Sequence, residues 1–267
     1  MTVTIVTSLY NINRSELDGR KWDDYLSWFS KTLKLKSPMV IFVESDMVDF
    51  VTKHREKLPT KIIEQSLNDI PYYSLKDRMD SVISSEDYKN KISDPNRIEC
   101  KSSLYTIIQY SKFKWVEQVS IENYFNSEYF LWVDAGLSRF FYDINLNNAY
   151  PGESALESLM SVKDNILIQV FLSYYPDLVN TDTLTDEYLK DNRSYIMGGM
   201  FGAGKEAIKK LCVMIDNILE QMISDNFINN EQIALGYLYK KYPDLFVEFF
   251  NEAHLHRSYE LIMELSK

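Results

Sequence analysis

The stretch SEYFLWVDAGLSRF, residues 127–140, decides the fold. Five apolar or aromatic residues in succession, Tyr129, Phe130, Leu131, Trp132 and Val133, stop abruptly at Asp134-Ala135-Gly136. A short run of that kind, bounded by polar residues, reads as a strand buried on both faces. Asp134 then stands at the C-terminal tip of the strand, the edge at which open α/β sheets bind ligands. Gly136 lets the backbone turn sharply, or come close to whatever the carboxylate holds. An ordinary strand end with a turn-forming aspartate has the same local pattern, so the rest of the chain must separate the two.

Upstream, residues 3–8 alternate and are rich in β-branched side chains, a first strand that runs into the polar loop Tyr10-Asn11-Ile12-Asn13-Arg14. Trp22, Tyr25, Leu26, Phe29 and Leu33 follow at helical spacing. Pro38 ends that pattern, and residues 39–43 form a second buried strand that stops at Glu44. Residues 48–58 read as a helix, 61–64 as a short strand, and 66–96 as short helices on a surface excursion. A clear helix over residues 103–121 feeds the central strand.

Downstream, residues 154–162 are helical and 166–172 extended, while the acidic segment 177–192 reads as a loop. Tyr195-Ile196-Met197 leads into the turn Gly198-Gly199-Met200-Phe201-Gly202-Ala203-Gly204, and a long helix starts near Lys205. A helix over 231–239, a strand over 245–250 and a closing helix over 259–265 complete the chain. Without a linker, repeat or composition break, the chain reads as a single domain over residues 1–267. Strands alternating with helices predict an α/β fold with a mostly parallel sheet covered on both sides.

The chain has 267 residues, of which 45% are hydrophobic and 25% charged, the composition of an ordinary globular protein. Its formal charge of −10 excludes a general nucleic-acid binder, which needs a basic face, yet leaves room for a local basic pocket. Cys100 and Cys212 form no CxxC or zinc pattern and imply a reduced compartment. With neither a signal-peptide pattern at the N-terminus nor a membrane-length apolar run, a cytoplasmic protein is expected.

Gly199-Met-Phe-Gly-Ala-Gly204-Lys205-Glu206 nearly matches the P-loop GxxxxGK[ST]. Glu206, however, stands where a hydroxyl must ligate magnesium, and its charge would face the phosphates. A P-loop NTPase is therefore the weakest of three readings, behind a glycine-rich strand-to-helix turn with Lys205 merely solvated. The third takes the stretches together: a first strand ending in a polar loop, a second ending in an acidic residue, the FLWVDAG strand, and the GGMFG turn.

That combination resembles the GT-A fold of nucleotide-sugar glycosyltransferases, and the Phe130–Gly136 stretch more closely resembles the HtrL/YibB-like family. The Ser-Leu-Tyr-Asn start and the helix carrying Lys112 fit as well. The resemblance implies a Rossmann-like, mixed, mostly parallel sheet. It also implies a metal-assisted transfer of a hexose from a nucleoside diphosphate sugar, a UDP-sugar first, to a glycan or to a protein- or lipid-linked hydroxyl. A nucleotide-sugar-binding module without catalysis is the alternative on the same fold.

By resemblance, Asp134 falls on the first aspartate of a DxD motif that holds manganese or magnesium, and Gly136 replaces the second. The cation would offset charge on the departing diphosphate. His254 and His256, in an extended segment, share one side and are candidate imidazole ligands, or else two surface histidines. Thr7, Ser8, Tyr10 and Asn11 offer hydroxyls, an amide and a ring to the nucleotide, Arg14 a charge to phosphate, and Glu44 an acceptor to base or ribose. Lys112 and Arg139 are alternatives for neutralising the diphosphate, although Lys112 also fits a solvated helix face. Gly198 and Gly199 permit close approach of a sugar. Glu231 is either the catalytic base or a first-turn acid behind an Asn229 or Asn230 cap.

Overall fold

The computed structural model describes residues 2–171, 175–251 and 260–267. His254 and His256 lie outside the described residues. Among the described residues seven strands form one sheet: β1 (Val3–Leu9), β2 (Met39–Val43), β3 (Thr60–Glu64), β4 (Tyr129–Val133), β5 (Ile166–Phe171), β6 (Met200–Ala203) and β7 (Phe246–Asn251). Their spatial order is β3-β2-β1-β4-β6-β5-β7. Every pairing is parallel except those made by β6, which runs against both β4 and β5. This is the mixed, mostly parallel α/β sheet flanked by helices that the sequence predicts.

Strand period two divides β4 between two cores. Phe130 and Trp132 face the helices Ser103–Glu122 and Lys205–Ser224, together with Val6, Phe42, Trp115 and Phe201. Tyr129, Leu131 and Val133 face the helices Trp22–Thr32 and Glu153–Ser161, together with Ile5, Ile41, Phe29 and Leu159. Both faces are dry, which is why the strand reads as an unbroken apolar run. By the same alternation Asp134, two residues after Trp132, emerges on the side of the Ser103–Glu122 helix.

The register brings the tips together. Val6 pairs with Trp132, so Ser8 and Tyr10 of the β1 end lie beside the end of β4. Past Gly136 a 3-10 turn, Leu137–Phe140, packs on the Trp22–Thr32 helix, where Ser138 Oγ donates to the Trp28 carbonyl at 2.6 Å. No helix among the described residues is long and apolar enough to cross a membrane.

Three readings of local structure need correction. The Gly198–Gly204 segment, expected to be a turn opening a helix, contains strand β6, and Tyr195-Ile196-Met197 contributes only an isolated bridge between Val170 and Ile196. Glycine content hid that strand, because Gly202 is a packing requirement: a Cβ there would sit 2.7 Å from the Tyr129 ring and 2.8 Å from Leu131. A strand cannot cradle phosphates as a P-loop does, and its reversed direction puts exposed Lys205 at the sheet edge opposite Asp134. The segment 177–192 is not plain loop, since it holds short helical turns Pro176–Val179 and Asp186–Lys190 with Tyr188 and Leu189 buried. The excursion 66–96 holds the expected short helices, Lys76–Ser84 and Glu86–Lys91, but they do not stay at the surface, since they bury Met79, Val82 and Tyr88 in the core.

Candidate active site

A cleft of about 330 Å³ opens at the C-terminal ends of β1 and β4. Ser8, Tyr10, Asn11, Arg14, Lys112 and Asp134, all expected at the site, line it. Arg20, Tyr105, Gln109, Trp132, Arg139 and Gln232 also line it. Four cations, Arg14, Arg20, Lys112 and Arg139, thus face one carboxylate, Asp134, among the described lining residues. In a chain of net charge −10 this is a local reversal of sign.

At the centre is a buried ion pair. Lys112 is 1% exposed, and its Nζ donates to Glu231 Oε1 at 2.7 Å and to the Gly198 carbonyl at 2.8 Å. Asp134 Oδ1 lies 3.8 Å from the same ammonium and accepts a hydrogen bond from Trp132 Nε1 at 2.6 Å. The backbone closes the arrangement, with the Asp134 amide donating to the Gly199 carbonyl at 2.9 Å. Lys112 is therefore not on a solvated helix face. It shares the apolar stripe of its helix with Trp115, Val116 and Val119, three, four and seven residues on, and a lysine at that period was the available signal.

Glu231 begins the helix Glu231–Lys241, and Asn230 caps it, its Oδ1 accepting the Ile233 amide at 3.0 Å. The cap expected from the sequence is present, but the carboxylate is 1% exposed and does not line the cleft. It sits behind Lys112 instead of facing an acceptor. Burial pushes its carboxyl above the usual range, the Lys112 ammonium opposes that rise, and Asp134 adds to it. The preceding residues are pinned from several sides. Asn229 Nδ2 donates to the carbonyls of Leu189 and Asp191, and Tyr110 Oη donates to the Asn229 carbonyl at 3.1 Å.

Gly198 is needed for space. A Cβ there would fall 2.2 Å from Glu231 Oε1 and 2.7 Å from Gln232 Cγ. We expect Gly198→Ala to push the carboxylate off Lys112 and to cost about 1–3 kcal/mol, the usual overpacking range. A lowered urea midpoint is the outcome to look for; an unchanged midpoint would mean that the helix start yields freely.

The nucleotide-side expectations divide. Arg14 is half withdrawn: it forms a bidentate pair with Asp18, with Nε to Oδ1 at 3.0 Å, and lies over the Tyr105 ring at 4.4 Å. Hydrogen bonding from Arg14 holds the Asp18 carboxyl below its ordinary range. Tyr10 lines the cleft but stacks on Trp115, centroids 5.7 Å apart, and Trp115 stacks in turn on Trp132 at 5.9 Å. Thr7 is fully buried inside β1 and Glu44 accepts the Leu67 amide at 3.3 Å; neither lines the cleft. Gly198 and Gly199 touch Lys112 and Asp134 through their carbonyls without lining it.

The manganese or magnesium site implied by resemblance is not assembled by the described residues. No three acidic, histidine or cysteine side chains among them come together as a cation site. The donor set does not fit either: hard cations take about six oxygen ligands, whereas Asp134 Oδ1 is already hydrogen-bonded and an ammonium stands 3.8 Å away.

Comparison with known proteins gives three findings. No curated protein matches the chain. The solved structure of mouse xyloside xylosyltransferase 1 in its apo form is similar with a TM-score of 0.43 and 11% sequence identity, over 93% of this chain and 84% of that one. A family model described as "Bacterial protein of unknown function (HtrL_YibB)" matches residues 1–255, and the chain belongs to the HtrL_YibB family.

Proposed function

We propose that this chain, as a single domain over residues 1–267, is a glycosyltransferase that moves a hexose from a nucleoside diphosphate sugar, a UDP-sugar first, to a hydroxyl of a glycan or of a protein- or lipid-linked acceptor. One observation carries the reading. Among its described lining residues, the cleft at the β1 and β4 ends has four cations and one carboxylate in an otherwise acidic chain. In the reaction, the bond from the anomeric carbon to the diphosphate oxygen breaks, and a bond from the acceptor oxygen to that carbon forms. The acceptor hydroxyl loses its proton, and the nucleoside diphosphate departs with the electron pair. Cations already in position offset that developing charge without reorganising.

Asp134 contributes from the tip of β4. Its Oδ1 is held by Trp132, and its side chain is 36% exposed, so Oδ2 is left to accept a hydroxyl of the sugar or ribose. Glu231 acts at one remove, fixing Lys112, which in turn holds the Gly198 carbonyl and faces Asp134. In this role Glu231 is a positioning residue.

A second reading, binding of a nucleotide sugar without turnover, is favoured by the burial of Glu231, which leaves Asp134 as the one described carboxylate at the cleft. A thermal-shift panel of UDP-, GDP- and dTDP-sugars and ATP, followed by a turnover assay, tests both. Stabilisation by one nucleotide sugar with release of its diphosphate supports transfer. Stabilisation without release supports the binding module. Stabilisation by ATP alone would end both.

A further inference from the structure

We propose that the diphosphate of the nucleotide is held by guanidinium groups, with Arg139 foremost, and that no divalent cation bridges it to Asp134. The inference rests on the nucleotide-sugar reading above and goes beyond it.

The first observation is the state of Asp134. One of its oxygens is bound by the Trp132 indole at 2.6 Å, and Lys112 Nζ lies 3.8 Å from that oxygen. An ammonium at this distance already supplies the positive charge that a cation would bring, and it repels a second one. Two residues on, Gly136 offers no ligand.

The second is Arg139. It stands in the 3-10 turn that follows Asp134-Ala135-Gly136, lines the cleft and is exposed. Its guanidinium lies 5.2 Å from the Trp28 ring centre and 4.8 Å from that of Phe140. Aromatic faces orient a guanidinium without using up its N–H donors. Among the described residues no carboxylate pairs with it, in contrast to Arg14 with Asp18 and Lys112 with Glu231. The planar fork is thus free for the two-point hydrogen bonding that phosphate oxygens accept.

The third is the balance of charge. Among the described residues Arg14, Arg20, Lys112 and Arg139 oppose Asp18, Asp134 and Glu231, so four positive charges against three negative leave one positive charge before any ligand arrives. A cleft built around a cation has the opposite sign, since its carboxylates await the metal. Here the pocket awaits an anion.

Isothermal titration of the full chain with UDP, once in EDTA and once in manganese, tests the proposal in wild type and in Arg139→Ala. UDP affinity should agree within about threefold between the two buffers, and Arg139→Ala should weaken it at least about tenfold in both, as loss of a charged hydrogen-bonding partner does. Arg139→Lys should recover only part of the loss, because a point charge lacks the fork. Binding that appears only with manganese, or an unaltered affinity in Arg139→Ala, overturns the inference and leaves the glycosyltransferase reading standing. Failure of UDP, GDP and dTDP to bind in either buffer overturns that reading, and this inference with it.

Discussion

Lys112→Met should destabilise the fold by about 3–5 kcal/mol, the cost of breaking a buried ion pair from one side. The methionine fills the space but leaves Glu231 Oε1 and the Gly198 carbonyl without their shared donor. Adding Glu231→Gln should recover about half of the loss or more, because the stranded charge, not the missing lysine, is the larger penalty. The pair of single variants and the double variant, compared by urea unfolding, measure the coupling directly. If the double variant is as unstable as the sum of the singles, the ion pair is not the organising contact.

The pH dependence gives a second readout. Burial raises the Glu231 carboxyl in the folded chain above its unfolded value. The folded state therefore binds this proton more readily than the unfolded one, and the associated stability is present at low pH and lost as pH rises through the raised value. In wild type the Lys112 ammonium restrains that rise. Without it the carboxyl climbs further, so the deficit of Lys112→Met relative to wild type should be larger at about pH 8 than at about pH 5. A deficit independent of pH would mean that Glu231 keeps a compensating partner in the variant.

Asp134→Ala should reduce transfer by about 10²–10³-fold, the range for removing one fixed electrostatic group from a reacting centre. Its stability should stay within about 1 kcal/mol of wild type, because the side chain is partly exposed at a strand tip and what is lost is the Trp132 hydrogen bond and a 3.8 Å approach to the Lys112 ammonium, which keeps Glu231 as its partner. Asp134→Asn separates charge from hydrogen bonding: the amide can still accept from Trp132, so rates as low as those of the alanine variant would assign the effect to charge. The check is diphosphate release from whichever nucleotide sugar the panel identifies. Wild-type rates in Asp134→Ala would remove this residue from the site.

Much of the fold was legible in local patterns. Strands β2 and β4 appear in the sequence with the bounds they have in the structure, because both are buried on two faces and end in polar residues. The helix Ser103–Glu122 is marked by its apolar period, and in the structure Ser102 caps it, its Oγ accepting the Tyr105 amide at 3.3 Å. Strand β6 was not legible, since four of the seven residues 198–204 are glycines and read as a turn, although Gly202 is there to let β6 lie against Tyr129 and Leu131.

The site divides in the same way. By itself the sequence determined which end of the sheet carries the cleft. An apolar run ending in Asp134-Ala135-Gly136 and a polar loop after β1 are local signals, set by hydrophobic period and turn chemistry. Tertiary structure alone decided what those residues meet. Lys112, Gly198 and Glu231 are separated by 86 and 119 residues along the chain, yet one ammonium joins them. Whether a lysine is solvated or buried against a glutamate depends on the surface packed over it, here β4 and the start of the Glu231–Lys241 helix. That information resides in no window of the sequence, because desolvation and Coulomb attraction act through space and the chain must fold before either has a magnitude.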